Sequence, residues 1–354
     1  MNDEIIARLI AENQEYRECI ESLIETNNAL IDEVNRLNSM HNNMCQNMNE
    51  LVNIVTRIDE RVQINFRNNK VLYNRICNLP YEILDQRVID KYRVPQIMTE
   101  EETIDAIVFG KKSIARFGDG EFGIMFGVSR WRFQRNDSRL AARLREVVTS
   151  QDDNILIGIN NFYGDLSHRT ESEADGIRDY ITPEIRSQHM ELLSLDRVYA
   201  HACISRTGTW EKVQNQKRIW EGKNCVFIEG DKTRMGVGND LFDNAKSIQR
   251  ILCPSENAFD RYDEILKVAE NTSKDKTILI ALGPTASVLA YDLAKLGYHA
   301  IDIGHADISY EWLLRNGGKR TAVKNKYNNE WDEGYIVEDI VDEVYTSQII
   351  ADLS

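Results

Sequence analysis

The sequence predicts an α/β fold, a Rossmann-like and mostly parallel sheet with helices on both faces, preceded by a long N-terminal α-helical coiled coil. Three observations predict it: a heptad pattern that opens the chain, a series of short apolar runs beyond residue 110, and glycine-bearing turns at the ends of several of those runs.

The heptads come first. From Ile6 onward the a positions are Ile6, Asn13, Ile20, Asn27, Val34, His41, Met48, Val55 and Val62, and the d positions are Leu9, Tyr16, Leu23, Leu30, Leu37, Met44, Leu51 and Ile58. The phase never slips, and the first 70 residues contain neither Gly nor Pro. A sustained 3.5-residue repeat predicts a coiled coil, because a helix folded on a globular core shows a wider apolar face. Leu at d with Ile, Val and Asn at a predicts a parallel homodimer, in which facing Asn side chains satisfy each other. We assign residues 1–68 to this oligomerisation helix, whose heptads extend roughly 85 Å at 1.5 Å per residue. The layers of His41, Met44 and Met48 are its weakest part. A single long helix packed on its own domain is the competing reading.

Residues 69–96 read as a helical linker, with Pro80 and Pro95 as breakers and a short helix from Tyr81 to Tyr92. Thr99, with Glu102 three residues on, predicts a capping box and a helix that Gly110 stops after Phe109. Residues 97–354 form the remaining domain. Its apolar runs, Ser113–Phe117, Ile155–Ile159, Val198–Ile204, Cys225–Glu229, Arg250–Cys253, Thr277–Leu282 and His299–Ile303, are apolar on both faces, as buried parallel strands are. Asp240–Gln249, Ala258–Asn271 and Ala286–Leu296 read as crossover helices.

A formal net charge of -14 argues against a general nucleic-acid binder, which needs clustered Lys and Arg. The six cysteines form no CxxC pair, and no apolar run of transmembrane length appears. A reduced, cytoplasmic protein is expected.

In parallel sheets ligands sit beyond the carboxyl ends of the strands, so the loops there carry the functional candidates. In SIARFGDGE, Asp119 and Glu121 flank Gly120 directly after a strand, with Gly118 before them and Arg116 in the strand. Two carboxylates on a glycine-permitted bend suit a divalent metal, and an ordinary acidic turn is the alternative. The loop GDKTRMGVGND offers Arg234, Gly238, Asn239 and Asp240 and is expected to precede a helix. In LGPTA, Gly283 allows close approach, Pro284 starts a helix and Thr285 adds a hydroxyl, a pattern that suits a phosphate and also a plain turn. Neither loop is a Walker or GxGxxG motif. Arg206, just past a strand, is a candidate phosphate cation. His305 and Asp307 follow another strand that contains Asp302, and an Asp-His pair there suits a general base, against a purely structural histidine.

Taken together, SIARFGDGE, the run IEGDKTRMGVGNDLFDNAKSIQRILCPSENAF, the run ILIALGPTASVLAYDLAKLGYHAIDIGHADISYEW and KYNNE at Lys326 to Glu330 resemble the GT-D-fold glycosyltransferases of bacteria. The resemblance covers roughly Ile97 to Ile350 and not the heptads. It implies a metal-dependent hexosyltransferase of GT-D type. In it Asp119 and Glu121, as the DxE motif, would hold a divalent metal, by expectation Mn2+, with the diphosphate of a UDP-sugar. It further implies transfer of glucose to a glycan on a serine-rich repeat adhesin, so a glycoprotein or oligosaccharide acceptor, in the cytoplasm or at a secretion or glycosylation complex. Two departures concern the acceptor end: relatives commonly carry isoleucine at the position of Ala306 and glutamate at that of Ser309. Another nucleotide-dependent transferase, or a catalytically inactive coiled-coil scaffold, are the alternative functions.

Overall fold

The computed structural model describes residues 2–83, 90–128, 133–331 and 334–354. They divide into two compact units, Met1–Tyr73 and Asn74–Ser354. The first unit is wholly helical, part of α1 (Asn2–Ile83). Its heptad residues are exposed, Leu23 and Leu30 by 63% and 60%, so among the described residues the apolar stripe has no cover. Among the described residues no helix is long and apolar enough to cross a membrane.

Pro80 does not end α1, which corrects the expected break. A proline inside a helix removes one N–H and crowds the preceding turn. Here the last turns are tied down from outside. The buried Asn78 donates to Ile181 O at 3.3 Å and accepts from Arg186 at 2.7 Å, while Arg75 pairs with Asp175 and Arg178 with Glu82. Half of the expected helix from Tyr81 to Tyr92 falls on residues 84–89, outside the described residues; residues 81–83 belong to α1 and Asp90–Tyr92 is a 3-10 turn.

The second unit alternates strands and helices. In chain order they are β1 (Gln96–Ile97), α2 (Glu100–Val108), β2 (Ser113–Phe117), α3 (Asp119–Met125), α4 (Ser138–Thr149) and β3 (Ile155–Ile159). Next come α5 (Glu171–Tyr180), α6 (Pro183–Met190), β4 (Val198–His201), α7 (Trp210–Lys217), β5 (Asn224–Gly230), β6 (Ser247–Cys253) and α8 (Tyr262–Ala269). The chain closes with β7 (Thr277–Ala281), α9 (Pro284–Lys295), β8 (His299–Asp302), α10 (Ala306–Asn316), α11 (Glu343–Gln348) and β9 (Ile349–Asp352). Thr99 caps α2 through the reciprocal bonds with Glu102 that the sequence predicted.

The strands form one sheet in the order β1-β4-β3-β2-β8-β7-β5-β6-β9, and each pairing is parallel. Successive residues of a strand serve opposite faces. In β7, Ile278 and Ile280 join one apolar cluster with α4, α8 and α9, while Leu279 and Ala281 join a second with α2, α7 and α10. That two-sided burial is why the runs read as continuously apolar.

One crossover differs from expectation. Asp240–Gln249 is not a helix: after Gly230 the chain makes a series of turns and enters β6 at Ser247. Leu241 and Phe242 fill the helix's place, buried against Phe227 and Trp220, whose indole N–H donates to Leu241 O at 3.1 Å. The positive φ of Arg234, Gly236 and Gly238 belongs to the turns that precede Asp240.

The strand order sets where a ligand crevice opens. β2 leads on to its neighbour β3 on one side, whereas β8, on its other side, leads away to β9 at the far edge. The loops leaving two adjacent strands therefore diverge, the arrangement that opens a crevice at the carboxyl ends.

Candidate functional site

The crevice between β2 and β8 is floored by a buried ion pair. Asp302, at the end of β8, accepts from Arg116 Nη2 at 2.7 Å, and the same guanidinium reaches Asp302 O, Ala202 O and Ser205 Oγ. Four hydrogen bonds make Arg116 a strut between strands. It crosses directly over Gly304, where an added Cβ would stand 2.0 Å from Nη2. Asp302 is thus the partner of Arg116 and not of His305, because its carboxyl lies inside the sheet layer while His305 begins the next helix. Burial pushes the Asp302 carboxyl up, against the pull of Arg116.

Above this floor the DxE segment is the start of α3 and not a loop, and Gly118 caps it at an ordinary φ of -117°. Glu121 turns back so that its Oε2 accepts the Gly118 N–H at 2.7 Å. Burial pushes its carboxyl up to about 7, outweighing that hydrogen bond. Asp119 is exposed, and space above Gly120 is open. Two carboxylates of unlike environment therefore stand at one turn. Among the described residues no group of three or more His, Cys, Asp or Glu could hold a metal. This donor set fits a hard divalent cation that completes its shell with substrate phosphate oxygens and water, and it does not fit a closed protein cage.

A cationic cluster stands at the same crevice. Arg206, just past β4, forks onto Glu330 at 3.1 and 2.5 Å, and Arg320 reaches the other side of that carboxylate at 2.9 Å. Asp119 is among the charges that act on Arg206; burial opposes the guanidinium's charge, but Glu330 and its other partners hold its pKa above the usual value. Burial pushes the Glu330 carboxyl up, yet Arg206, His305 and Arg320 together bring it down to about 2. His305 Nε2 lies 3.3 Å from Glu330 Oε1 and 3.2 Å from Asn329 Oδ1. Burial, then the charge of Arg206, lowers the imidazole to about 4, so it is neutral at neutral pH.

Several other candidates stand apart from this group. Asp307 is buried, with Gly236 N and Asn239 Nδ2 on Oδ1, both at 2.9 Å, and Lys326 Nζ on Oδ2 at 2.6 Å. Asn239 also reaches Glu311, Gly238 takes a positive φ, and Asp240 accepts from Tyr310, so this turn is fastened onto α10. Arg234 is directed to the carbonyls of Asn325 and Glu338. At the start of α9, Gly283 has φ +54°, and a Cβ there would be 2.3 Å from the Phe133 ring. Phe133 meets Tyr327 edge-on at 5.7 Å, and Pro284 and Thr285 are buried, the Thr285 hydroxyl without a hydrogen-bond partner among the described residues. The glycine here admits an aromatic ring.

Sequence reading placed Asn329 and Glu330 in the KYNNE motif without giving them a role, and did not single out Arg320. They lie beyond the last periodic run, in the KYNNE segment and before it, and reach the crevice because Tyr327 N–H bonds back to Lys232 O at 2.8 Å. A lone Lys-Tyr-Asn-Asn-Glu string carries no periodicity to signal such a return.

The sequence profile of the glycosyltransferase GT-D fold family matches residues 114–331, which span the crevice and all its charged groups. The chain belongs to this family. Its GT-D segment is similar to Glycosyltransferase GlyD of Streptococcus pneumoniae, 33% identical over 265 residues, covering 72% of this chain and 32% of that protein. It is 32% identical over 272 residues to the probable glycosyl transferase Gly of Streptococcus gordonii, covering 73% and 39% respectively. The chain thus spans about a third of the length of these curated relatives. Among solved structures, a domain of unknown function 1792, described as having a distinct glycosyltransferase fold, superposes with a TM-score of 0.68 at 31% identity, over 73% of this chain and 96% of that one. A glycosyltransferase from Streptococcus sanguinis gives the same TM-score and identity, covering 74% and 100%.

Proposed function

We propose that this GT-D protein is a metal-dependent hexosyltransferase that moves glucose from a UDP-sugar to a glycan acceptor, on a serine-rich repeat adhesin glycoprotein. The observation that carries the reading is the meeting of a free carboxylate, a guanidinium pair and a neutral imidazole in one crevice of a family member. Cleaving a sugar from a nucleoside diphosphate builds negative charge on the leaving phosphate. Arg206 and Arg320 would bind that charge, and Asp119, with the Glu121 oxygen that does not accept from Gly118 N–H, would hold the cation, by expectation Mn2+. When bound, the cation supplies Lewis-acid stabilisation of the leaving diphosphate. His305 is the base for the acceptor hydroxyl, as an inverting displacement requires; Asp307 is committed to Lys326 and the turn beside it.

We also propose that the exposed heptad stripe pairs with a second copy as a parallel coiled coil, since each d-position leucine left in water forfeits roughly 1.5–3 kcal/mol of burial. A panel of UDP-sugars with Mn2+, read by UDP release with and without a glycosylated adhesin fragment, tests the transfer reading. Acceptor-stimulated release from one UDP-sugar is expected. Turnover of a nucleoside triphosphate instead would assign another transferase, and no ligand-induced rise in melting temperature with any UDP-sugar would assign a scaffold.

A further inference from the structure

We propose that Glu330 is the positioning residue for His305: its carboxylate fixes the imidazole in the Nε2–H tautomer and leaves the Nδ1 lone pair for the acceptor hydroxyl. The inference rests on the transfer reading above, and it gives a role to the KYNNE segment that the reading does not use. Glu330 is itself rigidly held. Its side chain is 15% exposed, two guanidiniums grip its oxygens, and its backbone N–H donates to Asn328 Oδ1 at 2.9 Å. A carboxylate so paired stays ionised at neutral pH and can only accept hydrogen bonds.

Both groups near His305 Nε2, Glu330 Oε1 at 3.3 Å and Asn329 Oδ1 at 3.2 Å, are acceptors. The proton therefore sits on Nε2, and the second nitrogen carries the lone pair. The His305 backbone is held at the start of α10, with Ser309 N–H bonded to its carbonyl at 2.9 Å. The charged groups that face it are Arg206 and Arg116, which disfavour a cationic ring, and Glu330, which favours it. In the transfer step the acceptor O–H proton moves to Nδ1 while the oxygen lone pair forms the bond to the anomeric carbon. The bond from that carbon to the diphosphate breaks, and its electron pair leaves on the phosphate. The imidazolium so formed keeps Nε2–H against the Glu330 carboxylate, which lowers the energy of the charged ring as it appears.

The test combines 15N NMR of histidine-labelled full-length protein with pH-rate profiles. Expected are the Nε2–H tautomer of His305 in the wild type at pH 7, and in Glu330→Gln a mixed tautomer. That variant should also lose about 10- to 100-fold in kcat, with the acid limb of its pH profile moved to lower pH. Glu330→Asp restores part of the loss, whereas His305→Ala loses about 100- to 10,000-fold. An Nδ1–H tautomer or an imidazolium in the wild type at pH 7 overturns the inference even if the variants fail to fold. So do unchanged kcat and an unmoved acid limb in Glu330→Gln while His305→Ala is impaired. If His305→Ala keeps wild-type kcat, the base assignment itself is what fails.

Discussion

At the end of β2, Arg116 and Glu121 both turn inward, one as a strut onto Asp302 and one as the cap of α3, which leaves Asp119 as the carboxylate open to a ligand. Three polar residues within one short motif thus differ in what their atoms have left to offer. Sequence reasoning found the turn but not this division, because the division depends on Ala202 and Ser205 arriving from the turn after β4 and Asp302 from β8. Gly283 shows the same limit. Its Gly-Pro-Thr setting suggested a phosphate cradle, yet the space a side chain would take is filled by Phe133, more than a hundred residues earlier in the chain. Gly283→Ala is therefore expected to destabilise the fold by about 1–3 kcal/mol, since φ +54° with ψ -140° is strained for any residue with a Cβ. Adding Phe133→Ala should recover the part due to the clash and not the part due to backbone strain. Denaturant unfolding of the two variants checks this, and equal stability of Gly283→Ala and wild type would contradict it.

Among the elements, strands were the most legible. Ser113–Phe117 and Ile155–Ile159 have the bounds their apolar runs predict, because both faces of each are covered. Helices whose ends depend on tertiary contacts were less so: α1 runs past Pro80 on ties from Arg186 and Ile181, and no local pattern announces those ties. Asp240–Gln249 has helix-like length, but its Leu241 and Phe242 are buried in turns, Phe242 against Phe227 and Trp220, and the chain enters β6 at Ser247. The heptad stripe of α1 makes a prediction at this scale. Leu30→Asp puts a charge into the d seam, so sedimentation of the full chain should show monomer where the wild type shows dimer. A wild-type monomer, or a variant that sediments unchanged, would contradict the coiled coil.

For the molecule as a whole, the crevice at the β2/β8 divergence follows from strand order, and the sequence announced parallel strands without their order. Burial of histidines also gives the fold a pH dependence. His189, stacked on Phe122 at 3.8 Å, is lowered to about 4 by burial and then by Arg186. Because its folded value lies below the ordinary 6.5, the unfolded chain takes the proton first. Its contribution is therefore present above about 6.5 and is lost as pH falls toward 4. Every tryptophan lies beyond residue 130, so their fluorescence follows the unit that contains His189. His189→Asn should lower Tm at pH 7 yet show a shallower fall between pH 6.5 and 4 than wild type; parallel curves would contradict the assignment.

The central claim, metal-assisted transfer from a UDP-sugar centred on Asp119, is tested most directly by UDP release in Mn2+ from wild type and Asp119→Asn at matched Tm. Because Asp119 is exposed at a helix start, the substitution should leave folding unchanged and reduce release by about 100-fold or more, to the level of wild type in chelator. Release that is the same in Asp119→Asn, in wild type and in chelator would contradict it.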